Sequence, residues 1–258
     1  MPEGDTVWFT ARRLHRALAG QALTVCDVRV PQHATVDLTG QTVDEVISRG
    51  KHLLIRVGET TIHSHLRMEG IWEVYEHGER WRHPTHSARV ILSNAGVQAV
   101  GFWLGMVDVV PRSEESRVVG HLGPDLLGPD WDPDVAIANL ARDPERAVFL
   151  ALHDQRNLAG LGNEYVNELL FLSGALPTRP VSDVELPALV DRAHRVISTN
   201  RDRRARTFTG STRRNETTWV FNRDRQACRR CGTPLQRGEL GDDPTRERQA
   251  WWCPHCQS

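Results

Sequence analysis

The sequence lacks long hydrophobic runs. No segment of its 258 residues approaches the roughly 18 consecutive apolar residues that a membrane-spanning helix needs. The N-terminus also lacks the basic and then apolar layout of a secretory signal peptide. We therefore expect a cytosolic protein with no membrane segment, and an apolar content of 39% is typical of a globular chain.

Lysine is nearly absent as well. Of the 32 basic residues, 31 are arginine, and Lys51 is the single lysine. A chain with this bias is expected to use arginine wherever only positive charge is needed. Lys51 therefore indicates a site that requires a compact ammonium able to lose its proton. Chance retention is the alternative.

The charge is unevenly distributed, although the net charge is only −1. Residues 195–258 contain fourteen arginines against seven acidic residues, an excess of +7, so residues 1–194 carry about −8. This excess favours a polyanionic partner for the C-terminal quarter. A solvated charged face is the alternative.

The chain begins MPEGD. Removal of Met1 leaves Pro2 as a free secondary amine beside Glu3, which is a possible nucleophile next to a possible acid. A poorly ordered chain start without a function is the alternative. Val7, Ala11, Leu14 and Leu18 then recur at helical spacing, which predicts a helix with Asp5 or Thr6 as its N-cap and Gly20 as its stop.

The sequence pattern changes several times after this helix. Residues 23–110 consist of short β-rich runs separated by turns, a spacing that predicts a β-sandwich. Residues 123–134 are dense in Pro, Gly and Asp and are expected to form a linker. Helical patterns follow, then an arginine-rich stretch at residues 201–214, and finally the cysteines. We see no internal repeats and no low-complexity tract.

Four of the five cysteines form two C-x-x-C pairs near the C-terminus. Cys228 and Cys231 are separated by twenty-one residues from Cys253 and Cys256, which leaves room for a β-hairpin between the pairs. In a reducing compartment this spacing predicts one tetrahedral Zn²⁺ with four protein ligands, which is a structural rather than a catalytic site. Cys26 is expected to fill the core. The twelve histidines show no metal-binding spacing and are taken as ordinary polar residues.

The stretch DQRNLAGLGNEYVNELLF joins two helical patterns. Its glycines allow a close approach of the backbone, and Asn163 is a possible cap for the following helix, whose free N–H groups form a natural phosphate seat. A plain turn between two packed helices is the alternative.

Taken together, these pieces resemble the Fpg/Nei family of DNA glycosylases over essentially the whole chain. The resemblance rests on PEGD at the start, RGKHLL around Lys51, HLRMEG, DQRNLAGLGNEYVNELLF, and CRRCG with RQAWWCPHCQ. HPTHSARVILSN and HLGPDLL are more similar to the endonuclease VIII (Nei) branch than to the formamidopyrimidine branch.

The resemblance implies a multidomain α+β fold. Residues 1–127 would form the catalytic β-sandwich domain with flanking helices, residues 128–218 the helix-two-turn-helix DNA-binding domain, and residues 219–258 the zinc-finger β-hairpin. The implied activity is that of a bifunctional enzyme that removes an oxidised base from duplex DNA and then cuts the strand by β/δ-elimination. A monomer bound to DNA is the expected state.

The resemblance also assigns roles to individual residues. Pro2 would be the Schiff-base nucleophile, Glu3 the proton donor and Lys51 an acid/base at the sugar and phosphate. The remaining implied contacts are Arg248 as a phosphate clamp, Asn163 as a backbone-phosphate ligand, Met68 as the wedge that fills the gap left by a flipped nucleotide, and Arg67 facing the DNA beside it.

Departures from the family pattern shape the expected substrate. His121 stands where the Nei branch tends to carry a phosphate-binding arginine, so this contact should be weaker or pH-dependent. The second wedge loop of the formamidopyrimidine branch is not recognisable, which favours oxidised pyrimidines over 8-oxoguanine. A non-catalytic binder of damaged DNA and an AP lyase with little base excision remain as alternatives.

Overall fold

The computed structural model describes residues 2–203, 205–243, 245 and 247–258. It divides into two compact units, Met1–His121 and Leu122–Ser258. The elements of unit 1 are α1 (Gly4–Leu18), β1 (Val25–Val28), β2 (Val43–Arg49), β3 (His52–Val57), β4 (Thr60–His65), β5 (Ile71–Glu76), β6 (Ala88–Ser93), β7 (Val97–Phe102), β8 (Met106–Pro111) and α2 (Ser116–Val119).

The strands of unit 1 form two antiparallel four-stranded sheets. Their strand orders are β1-β6-β7-β5 and β2-β3-β4-β8. Apolar residues from both sheets meet in one core, with Leu53 and Ile62 from one sheet and Val90 and Trp72 from the other. Because each sheet contributes one face to this core, the predicted β-sandwich is confirmed.

Helix α1 packs on the sandwich through a single apolar face. Val7, Ala11, Leu14 and Leu18 are all buried and belong to the same core as the sheets. Their spacing places them on one side of the helix, and burial of this side stabilises the helix more than its intrinsic propensity does. The predicted helix is therefore present.

Unit 2 is helical in its first half. Its elements are α3 (Pro133–Leu140), α4 (Val148–His153), α5 (Asn163–Ser173), α6 (Leu186–Asn200), β9 (Gln236–Leu240) and β10 (Arg248–Trp252). The four helices surround a core that includes Phe149, Leu152, Leu169 and Ile197. Among the described residues, none of the helices has the length and apolar content that crossing a membrane requires.

The first part of the segment expected to be a linker is packed within unit 2, whereas most of its later residues are exposed. Leu126 is fully buried, and the Leu126 N–H donates to the Ala159 carbonyl at 3.1 Å. Asp125 forms a bridge parallel to Ala159. The predicted linker at residues 123–134 lies beside the boundary between the two units. Around Leu126, however, its backbone is paired with the turn before α5, although its composition is typical of loops.

The cysteine-rich end shares its packing with the helices. Strands β9 and β10 form an antiparallel hairpin, and Ala250 of β10 lies in the helical core. A second small core contains Phe171 of α5 together with Trp251 and two of the cysteines. The division of this unit into two domains at residues 218 and 219 stays a prediction.

A buried carboxylate links α5 to the segment before the cysteines. Glu168 has no exposed surface and accepts hydrogen bonds from the backbone N–H groups of Trp219 (2.7 Å), Val220 and Phe221 (2.8 Å each). Burial raises the pKa of Glu168 to about 7, against the three N–H donors, which lower it. This carboxylate fixes three consecutive residues of a chain segment that has no regular secondary structure.

Candidate active site and nucleic-acid interface

The first described residues lie at the start of α1. Glu3 is the N-cap residue, and its carbonyl accepts the first helical hydrogen bond, from the Val7 N–H at 3.0 Å. The Glu3 side chain is fully buried, whereas Pro2 is half-buried. Helix α1 thus anchors the chain start, so Pro2 and Glu3 do not form a frayed end. Met1, whose removal is expected, lies outside the described residues.

The predicted N-cap of α1 is wrong by two to three positions. The hydrogen-bond ladder already begins at Glu3, which places Asp5 inside the first turn. The Asp5 carboxylate accepts a hydrogen bond from the Thr6 N–H at 2.7 Å instead of capping the helix end. An acidic side chain in the first turn still complements the helix dipole.

Lys51 lies at the tip of the β2–β3 hairpin. Arg49 and His52 are paired across the hairpin, so Gly50 and Lys51 form a two-residue turn. Gly50 has φ +57°, a left-handed conformation that favours glycine in such turns. The RGKH sequence therefore encodes a tight turn that holds the single lysine between two strand ends.

Three histidines lie on one face of the sheet beside Lys51. His52 pairs with His65 across β3 and β4, and His63 pairs with Leu54, so the two-residue period of strands places all three side chains on the same side. His52 Nδ1 and His63 Nε2 are 2.8 Å apart, and the two rings stack with centroids separated by 5.0 Å. We call His52, His63 and His65 the histidine cluster.

The histidine cluster is electrically neutral at pH 7. Burial, together with the neighbouring histidines and Lys51, lowers the pKa of His52 to about 3. Burial, with Lys51 and Arg67, lowers the pKa of His65 to about 4, and burial also lowers the pKa of His63. Positive charge on this face therefore comes from Lys51 and Arg67 and not from the rings.

Treating the histidines as ordinary polar residues missed this cluster. The alternation in TIHSHL places His63 and His65 on one face of a strand, a signal that the sequence does contain. The contribution of His52 depends on the β3–β4 register, which spacing alone does not reveal. His121 is exposed and presents its ring edge to His52, with the centroids 6.0 Å apart.

Arg67 and Met68 lie in the turn after β4. Arg67 has φ +55°, and its backbone N–H donates to His65 Nδ1 at 2.9 Å, so the neutral His65 ring carries its proton on Nε2. Gly105 lets the Arg67 side chain lie against the backbone, because a Cβ atom there would collide with Arg67 Cγ. Met68 keeps 67% of its surface exposed. An exposed methionine on a held turn is available for contact with a partner.

Asn163 is the first residue of α5 and not its cap. The N-cap is Gly162, and Gly160 before it has φ +116°. The Asn163 side chain donates from Nδ2 to the Gln249 carbonyl at 3.1 Å, so it is engaged with β10 and unable to cap its own helix. The predicted cap is wrong for this reason, whereas the predicted phosphate contact stays a prediction.

Arg248 is the exposed first residue of β10 and pairs with Leu240 across the hairpin. It lines a surface cavity of about 330 Å³ together with residues from α4 and the following loop. Arg146 spans this cavity, because it donates to Asp154 at 3.1 Å and to Asp242 at 2.6 Å. The hairpin that carries Arg248 is thereby tied to the helical part of unit 2.

The four predicted metal ligands come together. The Sγ atoms of Cys228, Cys231, Cys253 and Cys256 all lie within 4.8 Å of one another. Cys231 and Cys253 are 3.5 Å apart, and Cys228 and Cys256 are 4.0 Å apart. Four sulfurs around one Zn²⁺ at about 2.3 Å are separated by roughly 3.8 Å, so the observed spacing fits a tetrahedral metal. The residues can bind a metal ion, and Cys26 takes no part in the cluster.

The comparison with known proteins matches this fold. The family model for the formamidopyrimidine-DNA glycosylase N-terminal domain matches residues 1–103. A complex of Lactococcus lactis Fpg with DNA containing an abasic site superimposes with a TM-score of 0.81 over 100% of both chains, at 21% identity. This likeness shows the fold: a β-sandwich followed by a helical unit with a cysteine hairpin.

Two relatives place the chain more closely. "Probable endonuclease 8 2" of Streptomyces coelicolor is 54% identical over 100% of this chain and 94% of its own length. "DNA-(apurinic or apyrimidinic site) lyase Nei2" of Mycolicibacterium smegmatis is 51% identical over 100% of this chain and 99% of its own. The chain belongs to the Fpg/Nei family, on its endonuclease 8 branch.

Proposed function

We propose that this protein is a bifunctional DNA glycosylase and AP lyase of base excision repair. Its substrate is duplex DNA that contains an oxidised pyrimidine or an abasic site. The observation that carries the proposal is the placement of Pro2 directly before the buried Glu3, at the anchored start of α1. Similarity along the whole chain to an endonuclease 8 and to an AP lyase supports it.

The N-terminal amine is the natural nucleophile. An α-amino group with a pKa of about 7.7 to 8.0 is roughly a tenth neutral at pH 7, whereas an ordinary lysine is neutral in only about one molecule in 2,500. The Pro2 nitrogen attacks C1′ of the damaged nucleotide, the bond from C1′ to the base breaks, and the base leaves. Glu3 delivers a proton to the ring oxygen so that the sugar opens.

The product of this attack is an iminium ion, because a secondary amine retains its positive charge in the Schiff base. The iminium withdraws electrons and acidifies the C2′–H bond, so loss of that proton expels the 3′ phosphate. A second elimination expels the 5′ phosphate, and water then releases Pro2. Lys51, held at its hairpin tip, moves protons at the sugar and phosphate during these steps.

The proposed contacts with the DNA are of two kinds: some position the duplex, and others fill the gap left by the flipped nucleotide. Lys51, His121, Asn163 and Arg248 bind phosphates, which fix the position of the duplex without reading its sequence. Met68 enters the gap left by the flipped nucleotide and offsets part of the unstacking cost, a few kcal/mol, with Arg67 beside it. Because the phosphate contacts dominate, the affinity should fall steeply with salt.

One Zn²⁺ bound by the four cysteines is the proposed cofactor. Four protein sulfurs fill its coordination sphere, so the metal holds the hairpin together and leaves the chemistry to the side chains. The small core around Phe171 and Trp251 includes two of these cysteines. Loss of the metal should therefore weaken the hairpin that presents Arg248. We further propose that the protein acts as a monomer on DNA in the cytosol.

Borohydride trapping tests the proposal. The native protein is incubated with duplexes containing thymine glycol, dihydrouracil, 8-oxoguanine or an abasic site, and borohydride reduces the iminium to a stable protein–DNA adduct. We expect adducts with the pyrimidine lesions and the abasic site, and strongly reduced adducts for Pro2→Gly and for protein with an uncleaved N-terminal tag. Absence of any adduct from the native protein refutes the proposal.

A matched variant separates catalysis from binding. Glu3→Gln should bind the abasic duplex but give little borohydride adduct and little strand cleavage, because the amide has no acidic proton with which to open the sugar ring. Tight, salt-sensitive binding without strand cleavage in the native protein would instead identify a non-catalytic binder. Cleavage of abasic sites alone would identify an AP lyase with little base excision.

A further inference from the structure

A chain of hydrogen bonds runs from α4 through Asn163 to β10. His153, the last residue of α4, lies 2.7 Å through Nδ1 from the Phe149 carbonyl and 3.2 Å through Nε2 from Asn163 Oδ1. Asn163 Nδ2 donates to the Gln249 carbonyl at 3.1 Å. The residue proposed to bind a DNA phosphate is therefore held between a histidine and the hairpin backbone.

Backbone groups fix the orientation of the side-chain amides of Asn163 and Asn167. The Trp251 N–H can only donate, and it bonds to Asn167 Oδ1 at 2.6 Å, so Asn167 Nδ2 faces the Asn163 carbonyl at 2.7 Å. The Gln249 carbonyl can only accept, so Asn163 presents Nδ2 to it. Asn163 Oδ1 consequently faces His153 and also accepts from Asn167 Nδ2 at 3.3 Å.

Two of the hydrogen-bond partners of His153 constrain the positions of its protons. The Phe149 carbonyl is an acceptor, so Nδ1 carries a hydrogen. Asn163 Oδ1 is also an acceptor, so Nε2 carries a hydrogen as well. A neutral imidazole has only one N–H and would place a lone pair against the Asn163 oxygen. Two N–H groups make the ring an imidazolium.

We propose that His153 is a protonated positioning residue that orients Asn163 for phosphate binding. Its charged N–H holds Asn163 Oδ1 inward, which leaves the amide NH₂ group as the end offered to Gln249 and to a phosphate. The imidazolium also adds positive charge one hydrogen bond away from the phosphate ligand. The role in DNA binding rests on the proposed function, whereas the protonation state of His153 does not.

Charged groups of both signs surround His153. Those that line its cavity or neighbour Asn163, among the described residues, are Arg146, Asp154, Arg156, Glu164, Arg206, Asp242, Asp243 and Arg248. Asp154 is engaged with Arg156 at 2.6 Å, and Arg146 bridges Asp154 and Asp242. Glu164 pairs with Arg206 at 2.9 Å. These ion pairs neutralise one another, and the half-buried His153 ring keeps partial contact with water, which lowers the cost of an imidazolium.

Deprotonation should release Asn163. As the pH rises, His153 loses its Nε2 proton, its hydrogen bond to Asn163 turns into a repulsion between lone pairs, and one positive charge disappears. The affinity for DNA should therefore fall with rising pH, because His153 loses one proton. His153→Gln keeps a side-chain N–H but cannot titrate, whereas His153→Leu provides neither an N–H nor a charge.

Nitrogen NMR of the imidazole rings in the free, full-length protein is the direct test. At pH 7.0 an ordinary histidine is protonated in roughly a quarter of molecules. We expect both ring nitrogens of His153 to resonate as protonated, with the assignment made by comparison with His153→Gln. An Nε2 signal typical of an unprotonated nitrogen at pH 7.0 overturns the proposal, whether or not the protein acts on DNA.

Binding to a duplex with a tetrahydrofuran abasic-site analogue tests the positioning role. We expect His153→Leu to weaken binding about tenfold at pH 6.5, the effect of losing one hydrogen bond to a charged group. His153→Gln should retain most of the affinity at pH 6.5 and should remove one titrating group from the pH dependence between pH 6.5 and 8.5, whereas any pH dependence that comes from His121 remains. His194→Gln, in which the altered ring stacks on Trp131, is the matched control.

The outcomes are distinguishable. If His153→Gln keeps the wild-type pH profile, or if His153→Leu binds like the wild type, His153 does not act through Asn163. Thermal unfolding of each variant identifies a general loss of folding. Failure of the native protein to bind the duplex would refute the proposed function, and the NMR result would stand independently.

Discussion

Replacement of Glu168 by glutamine tests whether one buried carboxylate holds the segment before the cysteines. Glu168 Oε1 accepts from Val220 and Phe221, and Oε2 accepts from Trp219. Glutamine can keep one oxygen acceptor, but its NH₂ group then faces a backbone N–H. A buried N–H without an acceptor costs about 1–3 kcal/mol, so E168Q should lower the free energy of unfolding by that amount.

The contribution of Glu168 to stability should also depend on pH. Burial raises the pKa of Glu168 in the folded protein to about 7, above its ordinary value of 4.5. Between pH 4.5 and 7, Glu168 is therefore protonated in the folded protein but ionised in the unfolded chain. The stabilising contribution of Glu168 is therefore complete below about pH 4.5 and is lost as the pH rises through 7, with a slope of up to about 1.4 kcal/mol per pH unit.

Urea unfolding followed by tryptophan fluorescence measures both effects. The wild type, E168Q and the exposed control Glu145→Gln are compared from pH 5.5 to 8 with excess zinc, so that metal binding cancels in the difference. Glu145→Gln should change stability by less than about 0.5 kcal/mol. The reasoning is refuted if E168Q matches the wild type, or if the advantage of the wild type grows with pH.

Three further predictions concern single features of the chain. Gly50→Ala places a side chain at φ +57° and should cost about 1–2 kcal/mol in thermal unfolding; an unchanged Tm would contradict the assigned turn. Met68→Ala removes a side chain that is 67% exposed, so it should leave Tm unchanged while reducing release of a lesion base, and a stability loss above about 1 kcal/mol would argue against a wedge. Cys231→Ser should abolish stoichiometric zinc, measured by atomic emission, and lower Tm, whereas zinc retained at one equivalent would exclude the four-cysteine site.

Much of the fold could be predicted from periodicity. The apolar residues of α1 and the short β-rich runs indicate a helix and a sandwich because burial of one face imposes a regular spacing. The cysteine spacing likewise predicted a cluster that the structure brings together. These features depend on local pattern, which a single sequence contains.

The features that sequence reasoning missed depend on pairing between distant segments. Asn163 has the side chain of a helix cap, but the Gln249 carbonyl from β10 takes its amide. The segment around Leu126 has the composition of a linker, but its backbone bonds to Ala159. The histidine cluster requires the β3–β4 register. In each case a tertiary partner overrides the local preference, and spacing alone does not identify that partner.

The hairpin tip between β2 and β3 has a practical consequence for chemical biology. Because Lys51 is the single lysine, amine-directed labelling reagents have only this side chain and the chain terminus to modify. A lysine-specific protease likewise has one cleavage site, after the second residue of a two-residue turn. The fragments 2–51 and 52–258 would remain joined through the β2–β3 pairing. The chain thus contains one position for a single probe, or for a nick, at the residue that we propose to transfer protons.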